Sequence, residues 1–176
     1  MILTLISCVG VSLVSGQDAV DWPEYHPFRS AEAKEEYLQL YADRAKSWPV
    51  PSETKMVETS YGQTFVRISG PVDALPLVLL PGGSATSLMW IPNVEALSGH
   101  YRTYAVDNIY DVGRSVYTRT MQSSNDLVAW LDELFSALAL GDNINLVGLS
   151  YGGLAPLATM LFPLARKLRR KKKRQS

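Results

Sequence analysis

The sequence predicts an α/β fold in which an antiparallel hairpin leads into parallel strands with flanking helices, preceded by an N-terminal helix. Three observations carry this. Leu77–Leu80, Thr103–Val106 and Ile144–Leu149 are short, largely apolar runs of the kind found in strands buried on both faces. Stretches of helical periodicity alternate with them, which is the signature of a parallel sheet with crossover helices. Ahead of them, Thr54–Ser60 and Gln63–Ser69 are β-rich and flank Tyr61-Gly62, a hairpin signal.

Taken in order, residues 1–16 carry no charged side chain and many Ile, Leu and Val. They fit a cleaved signal or weak anchor, with Ser15-Gly16 as a small-residue cleavage site, or an N-terminus without a targeting role. The run is too short to span a bilayer, which takes about 20 apolar residues. Residues 17–29 read as an extended arm with Pro23 and Pro27. Ser30 is placed to cap a helix whose first turns hold Glu32, Glu35 and Glu36, favourable to the helix dipole. Tyr37, Leu40, Tyr41 and Trp48 give that helix one apolar face, and Pro49 and Pro51 stop it. The hairpin follows, then the Leu77–Leu80 strand, ended by Pro81-Gly82-Gly83-Ser84. A helix is expected over Ser87–Leu97, its start weakened by Pro92. Thr103–Val106 is the next strand, closed by Asp107. Ser123 and Asp126 suit a capping box, Leu127, Leu131, Leu134, Phe135 and Leu138 line one helical face, and Gly141 is placed to end the helix. Ile144–Leu149 then runs into Ser150-Tyr151-Gly152-Gly153 and an apolar segment reaching Leu164. The expected organisation is a leader or weak anchor at 1–16, an arm and helix at 17–53, the α/β unit at 54–165 and a basic tail at 166–176.

Charge and composition narrow the function classes. Hydrophobic residues make up 47% of the 176 residues, a globular composition. The formal net charge is zero, yet Arg166–Arg174 alone holds eight of the 17 basic residues, so residues 1–165 carry a net −8. Cys8 is the sole cysteine, which excludes an internal disulfide. His26 and His100 lie in no zinc-type spacing, and no phosphate-binding G-x-x-x-x-G-K-[ST] occurs. No metal or cofactor is expected.

Gly148-Leu149-Ser150-Tyr151-Gly152 fits G-x-S-x-G. The pattern alone is weak, and its setting after a buried strand and before an apolar, helix-length run sharpens it. In such a turn the serine is strained and projects its hydroxyl above the sheet edge. Glycines two residues to either side remove Cβ atoms where backbones pack closely. The Tyr151 N–H then faces a developing oxyanion. A second donor is expected from Pro81-Gly82-Gly83-Ser84, because that turn ends a strand that would neighbour the nucleophile strand. The plain alternative is a pair of glycine-rich βα turns without chemistry. Asp107 and Asp111 are expected to flank the pocket at a strand end, as turn caps in preference to substrate contacts.

Leu79–Ser87, Asp107–Ser115 and Val147–Gly153 together resemble the ordered landmarks of the α/β-hydrolase superfamily, and more narrowly its bacterial carboxylesterase-like members. Pro81 stands where that family often has His. The resemblance covers about residues 28–160. It implies Ser150 as nucleophile, the Gly83 and Tyr151 amides as oxyanion hole, Gly148 and Gly152 as elbow glycines, and a small-molecule ester or amide as substrate. It also implies a triad in the order Ser, acid, His, but no His, Asp or Glu follows Ser150 in this sequence. His100 precedes its strand and so falls about 15 Å from the nucleophile, at the opposite end of the sheet. His26 lies in the arm. The expectation is an incomplete α/β-hydrolase sheet with impaired catalysis, whose Ile144–Leu149 strand is an exposed edge open to self-association. The tail reads most simply as a truncation or frameshift product. Its alternatives are a polybasic contact to anionic membrane, which would make the chain a non-catalytic binding module, or a nuclear-localisation-like run. It lacks interleaved aromatics, which argues against nucleic acid. Location is left open between cytoplasmic and secreted or membrane-associated through residues 1–16.

Overall fold

A computed structural model of the chain describes residues 23–150. The expected leader at 1–16, the basic tail at 166–176, Tyr151 and Gly152 lie outside the described residues.

The elements run α1 (Ala31–Ala45), β1 (Ser52–Thr59), β2 (Gly62–Ser69), β3 (Pro76–Leu80), a 3₁₀ turn (Ser87–Trp90), α2 (Ile91–Ser98), β4 (Arg102–Val106), β5 (Val116–Tyr117), α3 (Ser124–Ala137) and β6 (Asn145–Gly148). The sheet order is β1-β2-β4-β3-β6, with β5 paired to the start of β2. β1, β2 and β4 pair antiparallel, whereas β3 is parallel to both β4 and β6. This is the mixed, incomplete α/β sheet the sequence predicts.

Side chains alternate across the sheet, so each strand serves two cores. Val66, Ile68, Val78, Leu80 and Val106 face α3 and pack on Trp130, Leu131, Leu134 and Phe135. Leu77, Leu79 and Ala105 face the other way, toward Trp90 and Trp48. On that second side Tyr41 of α1 closes over Phe65 and Leu88. Each fully buried large apolar side chain stabilises the fold by about 2 kcal/mol.

Local signals in the sequence account for most element ends. Ser30 Oγ accepts the Ala33 N–H at 3.2 Å and opens α1. The Asp126 carboxylate accepts the Ser123 N–H at 2.9 Å and opens α3. Pro92 sits in the first turn of α2, and the expected Ser87–Leu97 helix divides there into a 3₁₀ turn and an α-helix. Three expectations need correction. Leu40 is 62% exposed, because the inner face of α1 runs through Tyr37, Tyr41 and Ala45 at a spacing of four. β1 begins at Ser52, so a boundary at 53/54 would cut the strand. Gly141 does not end α3: the left-handed position is Ala139, at φ +54°, and a side chain at Gly141 would meet nothing. The two-residue β5 lacks any sequence periodicity and was not expected.

Candidate active site at the carboxyl edge of the sheet

Parallel strands β3 and β6 pair from Leu77↔Asn145 to Leu80↔Gly148, so both end at one edge. The chain leaves β6 through Leu149, whose N–H donates to Leu80 O at 3.3 Å, and reaches Ser150 at φ +51°. A serine in the left-handed region is strained by about 1 kcal/mol or more, as a nucleophile turn requires. Ser150 is exposed. The glycine turn after β3 lies directly against it. A methyl group placed on Gly82 would stand 3.5 Å from Leu149 O and 3.7 Å from Ser150 Cβ. The structure therefore brings together Ser150, Gly148 and the Gly82-Gly83 turn.

The turn after β3 is tied down from three sides. Asn108 Nδ2 donates to Pro81 O at 3.3 Å. Ser84, at φ +58°, donates its N–H to Asp111 Oδ2 at 2.6 Å. Further on, the Ser87 N–H donates to Asp107 Oδ1 at 2.7 Å. The Gly83 N–H finds no acceptor among the described residues.

Asp107 is fully buried. It accepts from Ser87 N–H, from Tyr41 Oη at 3.3 Å and from Arg114 N–H at 2.9 Å, and so joins α1, the 3₁₀ turn and the loop after β4. Gly113 makes that closeness feasible: at φ +146°, a Cβ there would fall 2.8 Å from Asp107 Oδ2. Burial pushes the Asp107 carboxyl above its ordinary range, against the pull of the hydrogen bonds from Arg114 and Ser87. Burial, with Asp107 and Asp111 nearby, also pushes the Tyr37 hydroxyl up to about 12. The turn-capping role expected for Asp107 and Asp111 holds. The expectation missed how many separate elements Asp107 joins.

A cavity of about 260 Å³ opens beside the turn, lined by Gly83, Ser84, Asp111, Leu127 and Trp130 among others. A larger cleft of about 580 Å³ lies at the other end of the sheet, around Glu53, Gly99 and Arg102, and holds the 2.5 Å Arg102–Glu53 ion pair.

His100 lies at the end of the sheet opposite Ser150. His100 is exposed at the amino end of β4, as expected. His26 packs edge-on against Tyr117 at 4.3 Å, and Tyr117 pairs with β2.

The strained Ser150 thus follows a parallel strand and packs on a glycine turn. Residues 77–170 match the model of the alpha/beta hydrolase family, and the chain belongs to that family. Within it the chain is carboxylesterase-like. It is 40% identical over 126 residues to carboxylesterase YbfK of Bacillus subtilis, covering 72% of this chain and 42% of that protein. The solved structure of naproxen esterase (carboxylesterase NP) from the same organism superposes with a TM-score of 0.72 at 38% identity, over 77% of this chain and 47% of that one. The structure of carboxylesterase CesB (YbfK) gives 0.66 at 40% identity, over 68% and 41%. The chain thus spans about two fifths of the length of the curated relatives it matches.

Proposed function

We propose that this chain carries the nucleophile side of a carboxylesterase site. Ser150 Oγ attacks the ester carbonyl carbon, and the N–H groups of Gly83 and Tyr151 receive the oxyanion. The alcohol then leaves with a proton, and water releases the acid and restores the serine. Gly148 and Gly152 give the turn its room. The observation that carries this reading is Ser150 at φ +51° against Gly82. Similarity to proteins described as carboxylesterases supports the ester as substrate class.

The proton needs a base, and His100 lies at the opposite end of the sheet. Impaired turnover belongs to this reading, because no His, Asp or Glu follows Ser150 in the sequence. A fluorophosphonate probe tests the nucleophile. With imidazole added as external base, covalent labelling of the folded chain that disappears in Ser150→Ala is the expected result, whereas a folded chain that does not label even then would sink the assignment.

β6 is an edge of the sheet among the described residues, with Val147 40% and Leu149 54% exposed. Self-association through this edge belongs to the same reading. Light scattering should show Val147→Lys shifting the chain toward monomer, and a wild type that is already monomeric and melts in one sharp transition would count against it. No helix among the described residues is long and apolar enough to cross a membrane. A contact between the basic run Arg166–Arg174 and anionic lipid would appear as salt-sensitive binding to phosphatidylserine vesicles.

A further inference from the structure

We propose that Asp111 is a positioning and charge-selecting residue for this site, an inference that rests on the assignment of Ser150 and Gly83 above. Ser84 and Gly83 are consecutive, and only one of their N–H groups is free for an incoming oxyanion. Asp111 Oδ2 takes the Ser84 N–H at 2.6 Å, while Oδ1 takes the Val112 N–H at 2.8 Å. The carboxylate is thus anchored to its own loop and holds the glycine turn from outside. Ser84 sits at φ +58°, a conformation that a non-glycine residue keeps only when its surroundings enforce it. With Ser84 so held, the adjoining Gly83 N–H is left at the cavity wall without an acceptor among the described residues.

The same carboxylate lines the cavity, and among the described residues no Lys, Arg or His lines it with Asp111. Trp130, Leu127 and Met121 supply its apolar surface. A fixed negative charge beside an apolar cavity disfavours a second negative charge there. The site therefore takes neutral or cationic acyl groups and rejects those that carry a carboxylate.

The test uses the full chain with Asp111→Leu and Asp111→Asn, imidazole as external base, and two fluorophosphonates, one with a neutral alkyl chain and one ending in a carboxylate. In Asp111→Leu, hydrogen exchange of the Ser84 amide should quicken about tenfold and labelling of Ser150 by the neutral probe should slow about tenfold. Asp111→Asn keeps one acceptor oxygen and should fall between Asp111→Leu and wild type. In both variants the rate of the anionic probe relative to the neutral one should rise about fivefold, a change that a merely structural role would not produce. Unchanged Ser84 exchange in a natively melting variant overturns the positioning role. An unchanged probe ratio overturns the selectivity. If wild type labels with neither probe, the assignment of Ser150 fails and the charge selection falls with it, while Ser84 exchange still decides whether Asp111 holds the turn. Should Asp111→Leu fail to fold, Asp111→Asn decides by the same two readouts.

Discussion

The turn after β3 is held by side chains from elsewhere in the chain: Asn108 on Pro81, Asp111 on Ser84, Asp107 on Ser87. The turn after β6 has one backbone hydrogen bond to Leu80, contact with Gly82, and a serine held against its own conformational preference. The first offers hydrogen-bond donors, which must stay still, so its rigidity is borrowed from a buried carboxylate. The second carries the proposed nucleophile, whose position comes from backbone strain. Geometry at this edge is therefore maintained in two different currencies, and each can be perturbed without the other.

The largest effect should come from the anchor of the first turn. Asp107→Ala orphans the Ser87 and Arg114 N–H groups and takes one of two partners from the Tyr41 hydroxyl, and should cost about 3 kcal/mol of stability in urea denaturation. A loss under about 1 kcal/mol would show that the turn does not depend on this residue. Tyr41→Phe removes one donor from the same carboxylate and its 3.0 Å contact with Ser87 Oγ. It should cost about 1 kcal/mol by the same measurement. The second turn should respond with the opposite sign. Ser150→Gly relieves the left-handed strain and should raise stability by about 0.5 kcal/mol while abolishing labelling. Destabilisation there would mean that the serine side chain contributes packing that outweighs its strain.

The smallest effect is a control outside both turns. The Asp126 carboxyl is held below its ordinary value chiefly by the Gln122 N–H, with help from Tyr61 and Ser123. A lowered folded pKa gives stability that is full above the unfolded value and is lost as pH falls through the folded one. The melting-temperature gap between wild type and Asp126→Asn should therefore be widest near neutrality and close below about pH 4. A gap that persists in acid would point to packing as its source.

What could be read from the sequence depended on how far each signal reaches. Ser30 and Ser123 act within one helical turn, and the helix starts they announce are present. The unbroken apolar run Leu77–Leu80 is enough to place a strand with two buried faces. Gly141 misled because a helix C-terminus can be closed by any residue that tolerates a left-handed φ, and Ala139 does so here. β5 stayed hidden because two residues carry no period, and its pairing with Gly62 and Gln63 is a tertiary event. At the site, the G-x-S-x-G pattern located the serine and the turn beside it. Asp107 and Asp111 were recognisable as turn residues, but nothing local shows that one is buried under Tyr41, 66 positions away in sequence, while the other reaches Ser84.

The pairing of β3 with β6 has a consequence for assembly in time. Asn145 reaches Pro76 O across 69 positions of sequence, so Ser150 meets the glycine turn only after a long loop has closed. The β1–β2 hairpin, by contrast, can zip from its own tight turn. The folding order this implies puts the hairpin early and the nucleophile late. β6, with a partner on one side among the described residues, is also the strand with least to lose on local opening. Fluctuations that detach it would withdraw the serine while leaving its donor loop folded, so reactivity should fade on warming before the main unfolding transition begins.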